Sequence, residues 1–347
     1  MIGAAYFREL YKQRQEGKNI HLQDKKYVDD IAGDLLNPLF TSFFARDLIA
    51  PAQKFNIGPY TYVKDRGYAF EQKLGKNTMG YLSKQLKDYV ADEKAANIPL
   101  MFFNSVITRD SRKMIICTQP VRFLMQGLRD TTKTPSVDPD AVDFVSFFAK
   151  QDPYNIRILS ALRMNATFPI VLPNVWLPSN PVIDVMDAGL RDNFGQETTL
   201  RFLSSFDEWI RENTSGVLIL QIRDRGTDGW ENPYVSDDMS DHVTKPFLLL
   251  QHNWFKMMEF FQNDMLNYYS TNSGSPVFKI TFQYTAGNEQ NKAALNFHLT
   301  RREEKDIMSS INSINNRKSF QNVLTLFERK NPEDASTERI TKPWFWQ

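Results

Sequence analysis

The stretch "RILSALRMNATFPIVLPNVWLPSNPVIDVMDAGLRDN" (157–193) limits what this chain can fold into more than any other. It opens on a helix carrying the small residues Ser160, Ala161 and Ala166, which ends at Phe168-Pro169. Proline has no N–H to donate and biases the preceding residue away from helical geometry. A Pro-rich apolar segment then delivers Asp187-Ala188-Gly189 at a strand end, followed by Leu190-Arg191-Asp192-Asn193. An aspartate at a strand–turn junction with small neighbours can face a cleft. Ala188 and Gly189 let another backbone or side chain come close. The same three residues also suit a plain Asx turn.

The rest of the chain alternates strand-like and helical patterns, which predicts an α/β fold. A first helix runs to about Gln15 with Gly17 as its stop, and a second helical region spans Tyr27–Asp47, interrupted by Pro38. Residues 56–67 read as a loop, and 68–90 as helical segments broken by Gly75 and Gly80. "IPLMFFNSVI" and "KMIICTQ" are β-like runs suited to a hairpin or adjacent strands. Asp130–Asp140 reads as a surface loop, with helices following at Ala141–Lys150 and near Ile156–Met164. A helix at Glu197–Glu212, a buried strand "GVLILQIRD" and a polar loop to about Lys245 come next. An apolar helix over Phe247–Tyr269 precedes the strand-like "PVFKITFQYT" and "ALNFHLT". Helices at about Arg301–Ile314 and Ser319–Phe327 close the pattern. The expected organisation is one domain over 1–330 and a tail over 331–347.

Composition removes several classes of function. Forty-two Lys and Arg against 41 Asp and Glu leave a net charge of +1, so nothing suggests a nucleic-acid partner. Cys117 is the only cysteine, which excludes an intrachain disulfide and a cysteine-based zinc site. Its β-like surroundings suit a buried structural thiol. The four histidines never reach ligand spacing, and no metal or cofactor is expected. No apolar run reaches the roughly 18 residues of a membrane span. Arg8 and Glu9 interrupt the N-terminal apolar stretch, unlike a signal peptide. A cytoplasmic or membrane-associated location, or a targeting segment upstream of Met1, stays open.

Several pieces of the chain together resemble the patatin-like phospholipase family, in its large bacterial form. They are "NATFP" (165–169), Asp187-Ala188-Gly189, Asn193, the strand "PLMFFNSVI" with its asparagine, and Asp65-Arg66-Gly67 with Glu71. The closing "AALNFHLTRREEKDI" extends the likeness over about residues 1–330. The resemblance implies a three-layer α/β/α sandwich that hydrolyses lipid acyl esters with a Ser–Asp dyad, without a cofactor. Asp187 would be the dyad aspartate, with Ala188, Gly189 and Asn193 shaping its turn. The partner implied is a lipid or other acyl-ester substrate, with peripheral membrane contact.

The chain departs from that pattern at its most N-terminal elements. It contains no G-x-S-x-G and no Gly-rich loop for an oxyanion hole, so neither nucleophile nor oxyanion residue is assigned. Phe194-Gly195 follows Asn193 in place of the family's usual x-Pro. In the family the nucleophile turn runs straight into a helix of small residues, and "MIGAAYFREL" resembles that helix. The expected fold is therefore N-terminally incomplete. The alternative is a non-catalytic patatin-like module that binds lipid or protein. Trp254, Phe255, Met257, Met258, Phe260 and Phe261, with Met265 and Leu266, form a wide apolar arc. A buried core helix and a membrane-contacting one both fit that arc.

Overall fold

The computed structural model describes residues 1–49, 53–127, 138–167, 172–224, 226, 241–288, 293 and 297–328, with only the backbone for 241–252. Most of the expected Asp130–Asp140 loop, Phe168-Pro169 and the 331–347 tail lie outside the described residues. The chain is mixed α/β and divides into two units, Met1–Arg191 with Asn296–Leu299, and Asp192–Leu295 with Thr300–Gln347.

In the first unit, helix α1 (Ile2–Gln15) buries Ala5, Tyr6 and Leu10 together with Arg8, Glu9 and Gln13. The two charged residues are paired. Arg8 pairs with Glu93, and Glu9 accepts from Tyr89 Oη at 2.7 Å and from Lys84 Nζ at 2.6 Å. Buried charge is tolerated only with such partners. The expected second helical region is α2 (Lys25–Ala32) and α3 (Leu36–Ser42), the latter continuing into a π-helical turn at Phe43–Asp47. Pro38 sits in the first turn of α3, where a missing N–H costs no helical bond.

The segment read as a loop over 56–67 is instead mostly a hairpin, β1 (Lys54–Ile57) and β2 (Tyr60–Val63). Gly58 takes φ 58° at the first turn position, as a two-residue hairpin turn requires. The flanking aromatics favour strand, and Phe55 stacks on Tyr62 at 5.4 Å. Helix α4 (Arg66–Asn77) follows, capped by Asp65, which accepts from Tyr68 N at 2.9 Å. It runs through Gly75 and ends before Gly80, whose φ is 79°. A short α5 (Val90–Lys94) precedes the main sheet.

That sheet is mixed, in the order β5-β4-β3-β7-β6. Strands β3 (Phe103–Ile107) and β4 (Lys113–Ile116) form the expected antiparallel hairpin, and every residue of both is buried. Ala141–Asp143, expected to be helical, is β5, parallel to β4. The helix there shrinks to α6 (Phe144–Phe147), which Asp143 caps. Helix α7 (Ile158–Met164) leads to β6 (Val175–Trp176) and β7 (Asp184–Asp187), both antiparallel to their neighbours. A single turn, α8 (Gly189–Asp192), follows β7.

The second unit splits the expected Glu197–Glu212 helix at Phe206 into α9 (Gln196–Ser205) and α10 (Asp207–Asn213). Strand β8 (Val217–Arg223) pairs in parallel with β9 (Val277–Gln283), and α11 (Asp241–Asn272) lies between them in sequence. Helices α12 (Arg301–Ser310) and α13 (Ile314–Glu328) follow, while the described part of "ALNFHLT" forms no strand. Two expectations are corrected here. The strand β8 is not buried, since Leu220 and Ile222 are 52% and 80% exposed in a two-stranded sheet. Nor is α11 a core helix: Leu266 is buried, but Trp254, Met257, Phe260, Phe261 and Met265 are all exposed.

In the first unit α4 meets α7 through charge. Arg163 is buried and donates to Asp65 Oδ2 at 2.7 Å, and its Nη1 lies 3.7 Å from Glu71. Arg157 pairs with the same Glu71, which is buried and accepts from Ser160 Oγ at 3.2 Å. Burial pushes the Glu71 carboxyl up, while the two guanidiniums pull it back. The cluster closes only because position 67 is glycine: a Cβ there would stand 2.0 Å from Arg163 Cζ. Gly67→Ala should therefore cost about 1–3 kcal/mol as an overpacked contact. It should appear as a lowered urea midpoint, and an unchanged midpoint would contradict the contact.

Candidate active site

Asp187 stands at the C-terminal end of β7, opposite Ser105 in the β3–β7 register. Its backbone N–H donates to Thr167 Oγ1 at 2.5 Å, tying the strand end to the residues after α7. Its Oδ1 accepts from Gly189 N, two residues on, which is an Asx turn. The structural reading of Asp-Ala-Gly thus holds, and the carboxylate has a second feature as well. It is partly buried, and burial pushes it up to about 6, against the pull of the Gly189 N–H and the Met1 ammonium. A carboxylate moved toward neutral pH is a better proton acceptor than an unshifted one.

The start of α1 lies beside this carboxylate. The Met1 ammonium is lowered by burial and raised by Asp187, so the two groups feel each other across the site. The N-terminal end of a helix carries partial positive charge, which favours an anion there. Ala188 is buried and Gly189 opens α8. Asn193 follows Asp192, the first residue of the second unit, in an exposed turn.

Other residues fix the turn that the sequence left unmarked. Arg191 donates to Ser111 O at 2.9 Å and Asp140 O at 2.7 Å and pairs with the Asp140 carboxylate. It staples α8 to the β3–β4 turn and the start of β5. Ser105 is buried, and among the described residues its Oγ has no hydrogen-bond partner. It lies within "FNSVI", but only the register brings it opposite Asp187. Thr167 sits inside "NATFP" and gave no signal of its own, because its role needs the strand twenty residues later.

Cys117 is buried, and burial raises its thiol to about 11, so it carries no thiolate at neutral pH. Among the described residues no group of three His, Cys, Asp or Glu could hold a metal ion, and no helix is long and apolar enough to cross a membrane. A cavity of about 570 Å³ lies in the first unit, but Asp187 does not line it. Asp184, at the other end of β7, does.

The raised carboxyl has a pH consequence. A folded-state value of about 6 against 3.8 means the native state holds its proton more tightly. Asp187 therefore lowers stability as pH rises from about 4 through 6, by about 1–3 kcal/mol. Asp187→Asn keeps the Asx turn and removes the titration. Its stability should match the parent near pH 4 and exceed it at pH 7; parallel pH profiles would contradict this. Compared with known proteins, no family model, no curated protein and no solved structure matches this chain.

Proposed function

We propose that Asp187 is the carboxylate of a patatin-like Ser–Asp dyad that hydrolyses lipid acyl esters, its serine not being among this chain's residues. A patatin-like α/β/α sandwich belongs to the same proposal. The observation that carries it is the proximity of the start of α1 to a partly buried strand-end aspartate with a raised pKa. That is where the helix following a nucleophile would meet its base. The β3–β4 hairpin beside β7 supports the same reading, since it holds the family-like "FNSVI".

In this chemistry the serine Oγ attacks the ester carbonyl as its proton passes to Asp187. The leaving alkoxide takes that proton from Asp187, and water, passing its own proton through Asp187 to the serine Oγ, then releases the acid from the acyl-enzyme. The Asx bond from Gly189 N holds one oxygen of Asp187 and leaves the other to accept a proton. The chain by itself should neither hydrolyse p-nitrophenyl butyrate nor take a fluorophosphonate label. A longer protein that carries a G-x-S-x-G turn ahead of α1 should do both, and Asp187→Asn in that protein should cut turnover by about 10³-fold or more. Labelling of the chain alone, or full activity in the extended Asp187→Asn protein, would contradict the dyad.

A second reading, a non-catalytic lipid-binding module, is favoured by the exposed aromatic face of α11. Trp254, Phe260, Phe261 and Tyr268 are 52%, 63%, 65% and 74% exposed. Tryptophan and phenylalanine on such a face suit the headgroup boundary of a bilayer. On this reading the chain co-sediments with vesicles, and Phe260→Ser with Phe261→Ser reduces the bound fraction several-fold. A chain that stays in the supernatant over neutral and anionic vesicles alike would exclude it.

A further inference from the structure

The cavity at the far end of β7 has a chemistry of its own. The hairpin and the start of α4 supply aromatic walls in Phe55, Tyr60, Tyr62 and Tyr68. Phe144, Phe148, Met164, Val175 and Leu177 supply an apolar side, and Trp176 stands exposed at the rim. Its volume of about 570 Å³ is in the range of small-ligand sites.

The lining charges do not balance. Four carboxylates (Asp65, Glu71, Asp152 and Asp184) face two guanidiniums (Arg157 and Arg163). The guanidiniums are already used, Arg163 by Asp65 and Arg157 by Glu71. Among the described residues Asp184 accepts only from neutral groups, Thr108 at 3.1 Å and Asn174 at 3.2 Å, and its buried Oδ1 has no partner. Asp152, at the exposed side, accepts from Tyr60 Oη at 2.8 Å. Among the described residues neither aspartate has a cationic partner. Even with Glu71 protonated, carboxylates outnumber cations.

The aromatic walls point the same way. Tyr62 and Tyr68 already hold a cation, the Arg157 guanidinium, 6.0 Å and 5.8 Å from their ring centroids. No described cation lies over Tyr60 or Trp176. An alkylammonium ion is weakly hydrated and is attracted to electron-rich ring faces. A carboxylate ligand would meet the same walls with no unpaired cation to receive it.

We propose that this cavity binds an organic ammonium ion carrying an apolar chain. The ammonium sits toward Tyr60, Trp176 and Asp152, and the chain runs along Phe144, Phe148 and Leu177. The site is separate from Asp187, so it stands or falls independently of ester hydrolysis.

Calorimetric titration of the full chain tests this with decyltrimethylammonium, decylphosphocholine and decanoate, each below its micelle concentration. Decyltrimethylammonium should bind saturably and about tenfold or more tighter than decanoate. Decylphosphocholine binding equally well would make a lipid headgroup the source of the ammonium; its failure beside a binding decyltrimethylammonium would make a simple amine the source. Asp152→Asn and Trp176→Leu should each weaken the ammonium several-fold. Asparagine tolerates the φ of 47° at position 152, and both changes lie at the rim, so the thermal melt should be kept. Decanoate binding as tightly, absence of saturable ammonium binding, or unchanged affinity in both variants would overturn the proposal.

Discussion

Arg163 is the residue around which the first unit is arranged. A buried guanidinium without partners would cost several kcal/mol, so the fold must bring carboxylates to it. Asp65 reaches it from the cap of α4 and Glu71 from nearly two turns further along the same helix. The absence of a side chain at Gly67 lets α7 lie close enough for both. Asp65 thereby has two tasks, since it also accepts from the Tyr68 N–H that begins α4. The pairing fixes α4 against α7, and with them the hairpin that closes the aromatic side of the cavity.

Strand β7 then separates two environments with its two ends. Asp184 opens the strand among Thr108, Asn174 and the cavity wall, and Asp187 ends it beside the start of α1. Three residues along a strand span about 10 Å and place the two side chains on opposite faces. One strand can thus serve a partly buried carboxylate with a raised pKa and a cavity that does not touch it. This separation allows ester chemistry and ligand binding to be distinguished by experiment.

Local pattern made some of this legible. The boundaries of α1, the β3–β4 hairpin and the Asp187 turn follow from helical spacing, β-rich runs and turn residues, and all are short-range signals. Asp65, Gly67 and Glu71 stood out in sequence as a spaced motif, but their purpose needed Arg163, about a hundred residues away. The β1–β2 hairpin was hidden because Gly58-Pro59 reads as loop, while aromatic stacking across the pair decides for strand. The α11 face misled in the other direction. Its apolar arc is wide enough for a core, yet the two-stranded β8–β9 sheet offers too little surface to cover it. The carboxylate excess of the cavity has no local signature, because its four carboxylates come from three separate segments: α4 with its cap, the turn at Asp152, and β7.

The account depends most on Asp187 being shielded from water beside α1. Carbon-13 NMR of the Asp187 carboxyl, assigned by comparison with Asp187→Asn, measures that directly across a pH titration. A midpoint near 6 is the predicted result. A midpoint near 4, as for an aspartate in water, would mean an open Asx turn and would contradict its assignment as a dyad base.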